Sequence, residues 1–282
     1  MKVAIIGEKS RAIAWEKHLR KLSSIKEVVI STELFSDPEI PAVILINESE
    51  ENLRVLNDAI RLGMHTFLIS RLPSDQKLLE SVYHAAAEAG TAVQFSHWPS
   101  ITPSTQWIRQ QVPKPDLIQI KKEVRPVNYS VDIGDFDHHW TDEVAFIVKW
   151  MGGNAHRIEA KPVLVEGVPL GLHITIRFED ASVASLQFSA FGTGDMHQRI
   201  FSDRKLMVDC NVATQHVRVH RVNEQKRITV QEKKFDPADT AEWALQQFFK
   251  SIQMKKETVF SPYDALLTAR IIDKVRSHMA KW

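Results

Sequence analysis

The pattern of apolar runs predicts an α/β + α+β chain in two parts. A truncated parallel-sheet domain covers residues 1–112, and an open-faced, mostly antiparallel sheet with helices on one face covers 113–282. Three observations carry this. Up to Phe95, short runs of branched apolar residues alternate with helical stretches, as in a parallel sheet covered on both faces. Only about ten residues separate the second and third strands, near the least a parallel crossover needs. Beyond Pro113-Lys-Pro-Asp, apolar residues fall at every second position, which describes a sheet with one dry face and one wet face.

Val3–Ile6 is a branched apolar run and reads as a buried strand. Gly7 ends it, and Ser10 offers a cap for a helix carrying Ala12, Ile13, Ala14, Trp15 and Leu19. Glu27–Ser31, Ala42–Ile46, Thr66–Ile69 and Ala92–Phe95 supply four more strands. Glu50–Leu62 and Ser74–Ala89 are amphipathic helices stopped by Gly63 and Gly90. A full nucleotide-binding half fits a helix and a further strand between its second and third strands here; this chain has no room for them. The domain boundary falls between Trp98 and Pro115. Leu117–Val124 then reads as a strand, and Asp142–Met151 as a helix stopped at Gly152-Gly153. Leu172–Phe178, Ala184–Ala190, Val217–Val222 and Arg227–Glu232 alternate apolar with polar. Thr240–Gln253 and Pro262–Lys281 close the chain as amphipathic helices.

A net charge of +1 gives no global bias toward nucleic acid or anionic membrane. The basic hairpin Arg218, His220, Arg221, Lys226, Arg227 lacks interleaved aromatics and reads as a solvated edge. Cys210 is the single cysteine, so no internal disulfide forms and a reducing, cytoplasmic setting fits. The start has no secretory pattern, and no apolar run is long enough for a bilayer.

Strand, glycine turn and helix at Lys2–Trp15 is how a dinucleotide-binding βαβ unit begins. Gly7 holds the first of the three small positions, Lys9 the second and Ala12 the third. The second normally lets a pyrophosphate approach the backbone; Lys9 either covers a phosphate with its ammonium or blocks the place. The densest polar cluster is Asp135-Phe-Asp-His-His-Trp. Asp137, His138 and His139 are metal-ligating types, but adjacent histidines in extended chain point to opposite faces. Substrate contact or loop hydrogen bonding is therefore preferred and no metal is expected. The ordinary pKa of an imidazole suits His139 to acid–base work.

Several stretches together resemble one family. Gly63-Met-His-Thr-Phe-Leu-Ile-Ser-Arg-Leu-Pro is similar to the Gly-Lys-His-Val-Leu-x-Glu-Lys-Pro segment of the Gfo/Idh/MocA oxidoreductases, NAD(P)-dependent sugar and cyclitol dehydrogenases. Val93-Gln-Phe-Ser-His-Trp-Pro-Ser-Ile-Thr-Pro is similar to their Val-Gly-His-x-x-Arg-Phe-x-Pro stretch. Lys149-Trp-Met-Gly-Gly resembles the end of their active-site helix, and the Tyr263-Asp-Ala-Leu helix resembles their last domain. The resemblance covers nearly the whole chain. It implies a shortened Rossmann domain, NAD or NADP as cofactor, a sugar- or polyol-like substrate, and a homodimer through the second sheet.

The same resemblance distributes the site residues. Arg71 stands where the family has its lysine; it keeps the charge that steadies an alkoxide but gives up no proton near neutral pH. Glu143 and Phe146 stand at the positions of the His-x-x-Asp pair. Glu143 is then a base or merely a carboxylate that suits a helix start. Gly7, Lys9, Ser10, Arg11 and Ala12 would hold the pyrophosphate. Asn47, with Glu48, replaces a Thr-Pro beside the cofactor, and Glu33 is either the ribose acid or a solvated loop carboxylate. His97, Trp98 and His138 would contact substrate, Trp98 having a core-edge reading as well. Two functions follow: a divergent dehydrogenase, or a non-catalytic descendant that binds a small ligand or a partner.

Overall fold

The computed structural model describes residues 1–46, 52–125, 133–152, 155–192 and 194–282. They form two compact units, 1–101 with 238–269 and 102–237 with 270–282. The helices in chain order are α1 (Lys9–Leu19), α2 (Asn52–Arg61), α3 (Gln76–Ala89), α4 (Trp98–Ile101), α5 (Pro103–Gln111), α6 (Ile133–Met151), α7 (Thr240–Met254) and α8 (Pro262–Met279).

In the first unit β1 (Lys2–Gly7), β2 (Glu27–Ser31), β3 (Ala42–Ile46), β4 (His65–Ile69) and β5 (Val93–Phe95) make one sheet in the order β2-β1-β3-β4-β5. Every pair is parallel. The chain between β2 and β3 passes from one side of β1 to the other with no helix or strand of its own. Val3–Ile6 and Ala42–Ile46 are buried throughout, as strands covered on both faces must be. The core joins Val3, Ile5, Ala12, Leu19, Ile44 and Phe67 to Ala244, Leu245, Phe248 and Phe249 of α7. A sequence division at 112/113 counts α7 with the second domain. A returning helix carries no local mark of the sheet on which it packs.

One cap differs from expectation: Glu8, not Ser10, holds the N-cap position of α1. Asp75 caps α3 by accepting the Leu78 N–H at 3.0 Å. Helices α4 and α5 occupy the stretch expected to be a boundary. Their signal was readable: Thr102 caps α5 ahead of Pro103 at its first position.

The second unit carries β6 (Leu117–Glu123), β7 (Ala155–Val165), β8 (Val168–Phe178), β9 (Val183–Ser189), β10 (Met196–Ser202), β11 (Leu206–Asn211), β12 (His216–Val222) and β13 (Ile228–Lys234). Their order is β13-β12-β11-β10-β6-β9-β8-β7. The β6–β9 pair is parallel and the other pairs are antiparallel. Ile118, Ile120, Leu172, Ile174, Ile176, Leu186, Phe188 and Phe201 fill the dry face. His173, Thr175, Arg177 and Gln187 stand on the other, as the alternation required.

Helix α6 starts nine residues ahead of the expected Asp142. Phe136, Trp140, Val144 and Ile147 continue one buried stripe at helical spacing, broken to the eye by the polar run between them. Helical geometry also overturns the argument that His138 and His139 lie on opposite faces. Successive residues on a helix stand about 100° apart.

Candidate functional site

Because the first sheet is parallel, its strands end on one edge, where Gly7, Ile46, Ile69 and Phe95 lie. The neighbours of β1 sit on opposite sides of it, so connections leaving β1 and β3 diverge. Such a switch point opens a crevice at the carboxyl ends of the strands. Gly7 is there, with φ +153° and in register with Ile46. A Cβ on residue 7 would drive into the Ile46 carbonyl oxygen, so this turn needs glycine.

Helix α1 begins two residues later. The Glu8 carboxylate makes no cap to the helix N–H groups; it accepts from the Ser10 hydroxyl instead. The first intrahelical bond runs from Ala12 N–H to Glu8 O at 2.9 Å. First-turn N–H groups have no intrahelical acceptor and carry the positive end of the helix dipole. Lys9 and Arg11 add two cations to that end; its first turn holds no acidic residue, and the Glu8 carboxylate stands at the N-cap. Lys9 and Ser10 are exposed, so neither side chain fills the crevice. Ala12 is fully buried, packing α1 on the sheet as the third small position requires. This donor set fits a pyrophosphate. Asn47 and Glu48 lie outside the described residues. Glu33 is exposed past β2, its N–H donating to the Ser31 hydroxyl at 3.1 Å.

The Ser96 hydroxyl donates to Ser70 O at 3.0 Å and accepts from Ser70 N–H at 3.1 Å. That tie fixes the end of β4, and Arg71 follows it, exposed. The expected substrate contact by His97 is not what the geometry offers. His97 is 1 % exposed, with Nδ1 2.8 Å from the Ser100 hydroxyl and its ring against Phe260. Trp98 is 36 % exposed and stacks on Trp15 with 6.0 Å between centroids.

In the second unit, alternation puts Lys122 of β6, His197 and Arg199 of β10 and Phe188 of β9 on the helix-covered face. Lys122 pairs across the strands with both His197 and Phe188. Helix α6 meets this row with a polar face of its own. Glu143 is 1 % exposed and binds Arg199 in a fork, Nε to Oε2 and Nη2 to Oε1, both 3.0 Å. The guanidinium also lies 3.9 Å from the Phe146 ring centroid. His197 Nε2 is 3.0 Å from Glu143 Oε1 but off the line of a hydrogen bond, and finds no other partner among the described residues.

Burial would raise the Glu143 carboxyl, but Arg199 and His197 outweigh it and hold it well below its ordinary range. A carboxylate so saturated is a poor base, which corrects the catalytic reading of Glu143. Burial keeps His197 below the usual imidazole value. The Lys122 ammonium donates to His139 O at 2.9 Å, and the His139 ring stacks on Phe188 at 5.4 Å. Asp137 accepts from Trp140 Nε1 at 3.0 Å and from Arg276 at 2.9 Å, so both its oxygens are engaged.

Sequence reasoning missed three residues here: Asp142, Lys122 and Arg199. Asp142 follows His138 by one helical turn, a spacing visible only once the helix is extended back past it. Burial, and then the neighbouring Glu143, push its carboxyl above the ordinary range against Lys122, His138 and Arg199.

No protein-family model and no curated protein sequence matches the chain. Solved structures do. UDP-N-acetylglucosamine 3-dehydrogenase GnnA from Acidithiobacillus ferrooxidans is 13% identical with a TM-score of 0.79, the match covering 99% of this chain and 97% of that one. An NAD binding oxidoreductase from Klebsiella pneumoniae is 11% identical with a TM-score of 0.82, covering 99% and 96%. Levoglucosan dehydrogenase in complex with NADH is 13% identical with a TM-score of 0.77, covering 100% and 97%. The chain therefore has the two-part fold of the Gfo/Idh/MocA-type dehydrogenases from end to end.

Proposed function

We propose that the chain is an NAD(P)-dependent oxidoreductase that interconverts a hydroxyl and a carbonyl on a sugar- or polyol-like substrate. The observation that carries this is the switch point at Gly7, followed by an α1 start whose first-turn N–H groups take no side-chain cap and which carries Lys9 and Arg11 beside the Glu8 carboxylate. Gly7 gives the close approach, the first-turn N–H groups and Lys9, Ser10 and Arg11 receive the phosphates, and Ala12 seats the helix. When bound, the dinucleotide supplies the hydride acceptor or donor. Arg71 holds a permanent positive charge for the developing alkoxide. Trp98 offers an aromatic face for a sugar ring. Helix α6 supplies the proton-handling side, with His138 and His139; the stacking of His139 on Phe188 gives that ring a share in holding the helix down.

The open face of the second sheet supports a homodimer, since Leu117 and Met207 stand exposed on it among polar residues. The lone Cys210, its thiol pushed up by burial to about 11, fits a cytoplasmic setting. The test is a screen of polyols, aldoses and nucleotide sugars with NAD⁺ and NADP⁺, read by absorbance of the reduced nicotinamide. Turnover with any of them supports the reading. Dinucleotide binding with no turnover across the screen favours a second reading, a ligand-binding descendant, to which the saturated Glu143 already points.

A further inference from the structure

The second unit holds a pocket that shares no residue with the Gly7 crevice. Alternation puts Glu159 and Lys161 on the wet face of β7, and the β7–β8 register sets His173 opposite Lys161. The end of α8 comes to the same place. His278 lies in its last turn, and Lys281 follows three residues on, a spacing that puts two side chains on one side of a helical turn. The Lys161 ammonium sits 5.0 Å from the centroid of the Trp282 ring, which ties the strand wall to the helix wall. Between the walls these six side chains line a cavity of about 460 Å³, the size of a small-molecule site.

Each wall brings one ammonium and one imidazole: Lys161 and His173 from the strands, Lys281 and His278 from the end of α8. The carboxylate side chain in the lining, Glu159, is answered from outside it by Arg157, Nη2 to Oε1 at 2.5 Å. Neither Lys161 nor Lys281 has an ion-pair partner among the described residues. Positive charge is therefore left over, and it favours an anion. Lysine and imidazole are single-point donors. The lining has no guanidinium fork of the kind that matches a flat carboxylate, and point donors on two walls suit a tetrahedral oxyanion better. A bare phosphate fills only part of such a cavity, and Trp282 offers a ring face to the remainder of a ligand. We infer that this pocket binds a phosphorylated sugar, with the phosphate among the two lysines and two histidines and the sugar ring against Trp282. Strands β7 and β8 close one end of the sheet, to the side of Leu117 on β6 and Met207 on β11. The inference stands whether or not the chain is a dehydrogenase.

The test uses the full chain with its histidine rings carbon-13 labelled. The His173 and His278 resonances are assigned by their loss in His173→Gln and His278→Gln. Titration with glucose 6-phosphate, at fixed pH and ionic strength, is expected to move both with one saturable midpoint. Lys161→Gln/Lys281→Gln should weaken that midpoint about tenfold or more, since two charge-assisted contacts are lost. Trp282→Ala should bring it to the midpoint of inorganic phosphate. Glucose should move neither resonance, and glucuronate should bind several-fold more weakly than glucose 6-phosphate. Lys9→Glu should leave the midpoint within about twofold, which separates this pocket from the start of α1. Lys161, Lys281 and Trp282 are exposed, so each variant should keep the wild-type urea midpoint and report binding alone. No shift, a shift that grows without saturating, or a midpoint unchanged in the double lysine variant overturns the inference. Glucuronate binding as tightly as glucose 6-phosphate overturns the assignment to a phosphate.

Discussion

Glu143 and Arg199 are both almost wholly buried, and each is the other's counter-charge. Glu143→Gln leaves the guanidinium without its anion and is expected to cost about 3–5 kcal/mol. The double variant Glu143→Leu/Arg199→Met should recover most of that loss, because a well-packed apolar pair replaces a buried ionic one at little cost. Urea unfolding of the variants checks both. Acidity acts at the same place. The Glu143 carboxyl lies well below 4.5, so its contribution is complete above that pH and drains as pH falls toward the folded value. His197 is held below 6.5, so protons bind the unfolded chain better, and stability is lost as pH drops below 6.5. Asp142 runs the other way, its contribution present below 3.8 and lost as pH rises through its raised value. Replacing His197 with Gln should flatten the part of the pH–stability curve just below 6.5, as read from urea midpoints at a series of pH values. Elsewhere, Gly7→Ala sets a methyl against the Ile46 carbonyl and should cost about 1–3 kcal/mol.

Helix α6 shows where pattern reading succeeded and where it stopped. Val144, Ile147, Val148 and Met151 betrayed the last turns. The first half was hidden because Asp135, Asp137, His138 and His139 interrupt the stripe of Phe136 and Trp140. The Glu143–Arg199 pair had no local signal at all, since its partners are 56 residues apart in sequence. Trp140→Ala discriminates between the two pictures of the helix. Trp140 is fully buried, with its indole N–H on Asp137, so the substitution should cost about 3–5 kcal/mol in thermal or urea unfolding. A residue in a surface loop ahead of the helix would cost far less. The β1–Gly7–α1 element was legible almost in full, because a branched apolar run, a glycine and an amphipathic turn are local signals. Only the cap was misplaced, by two residues, from Glu8 to Ser10.

At the scale of the molecule, strand alternation and apolar runs revealed a parallel sheet followed by an open-faced one, and the short crossover from β2 to β3 showed that the first was shortened. What stayed hidden were long-range facts: that α7 completes the first core, and that β7, β10 and β11 extend the second sheet. If the wet face of that sheet joins two copies, Leu117→Lys/Met207→Lys should convert the dimer to monomer by light scattering without altering urea stability. The claim beneath all of this is that the crevice at Gly7 receives a dinucleotide through the α1 start. Calorimetric titration of the chain with NADH and NADPH tests it most directly. Saturable binding of at least one is expected, weakened about tenfold or more in Lys9→Glu, where an anion replaces a cation at the helix start. No heat of binding from either dinucleotide at millimolar concentration, or an affinity unchanged by Lys9→Glu, would contradict it.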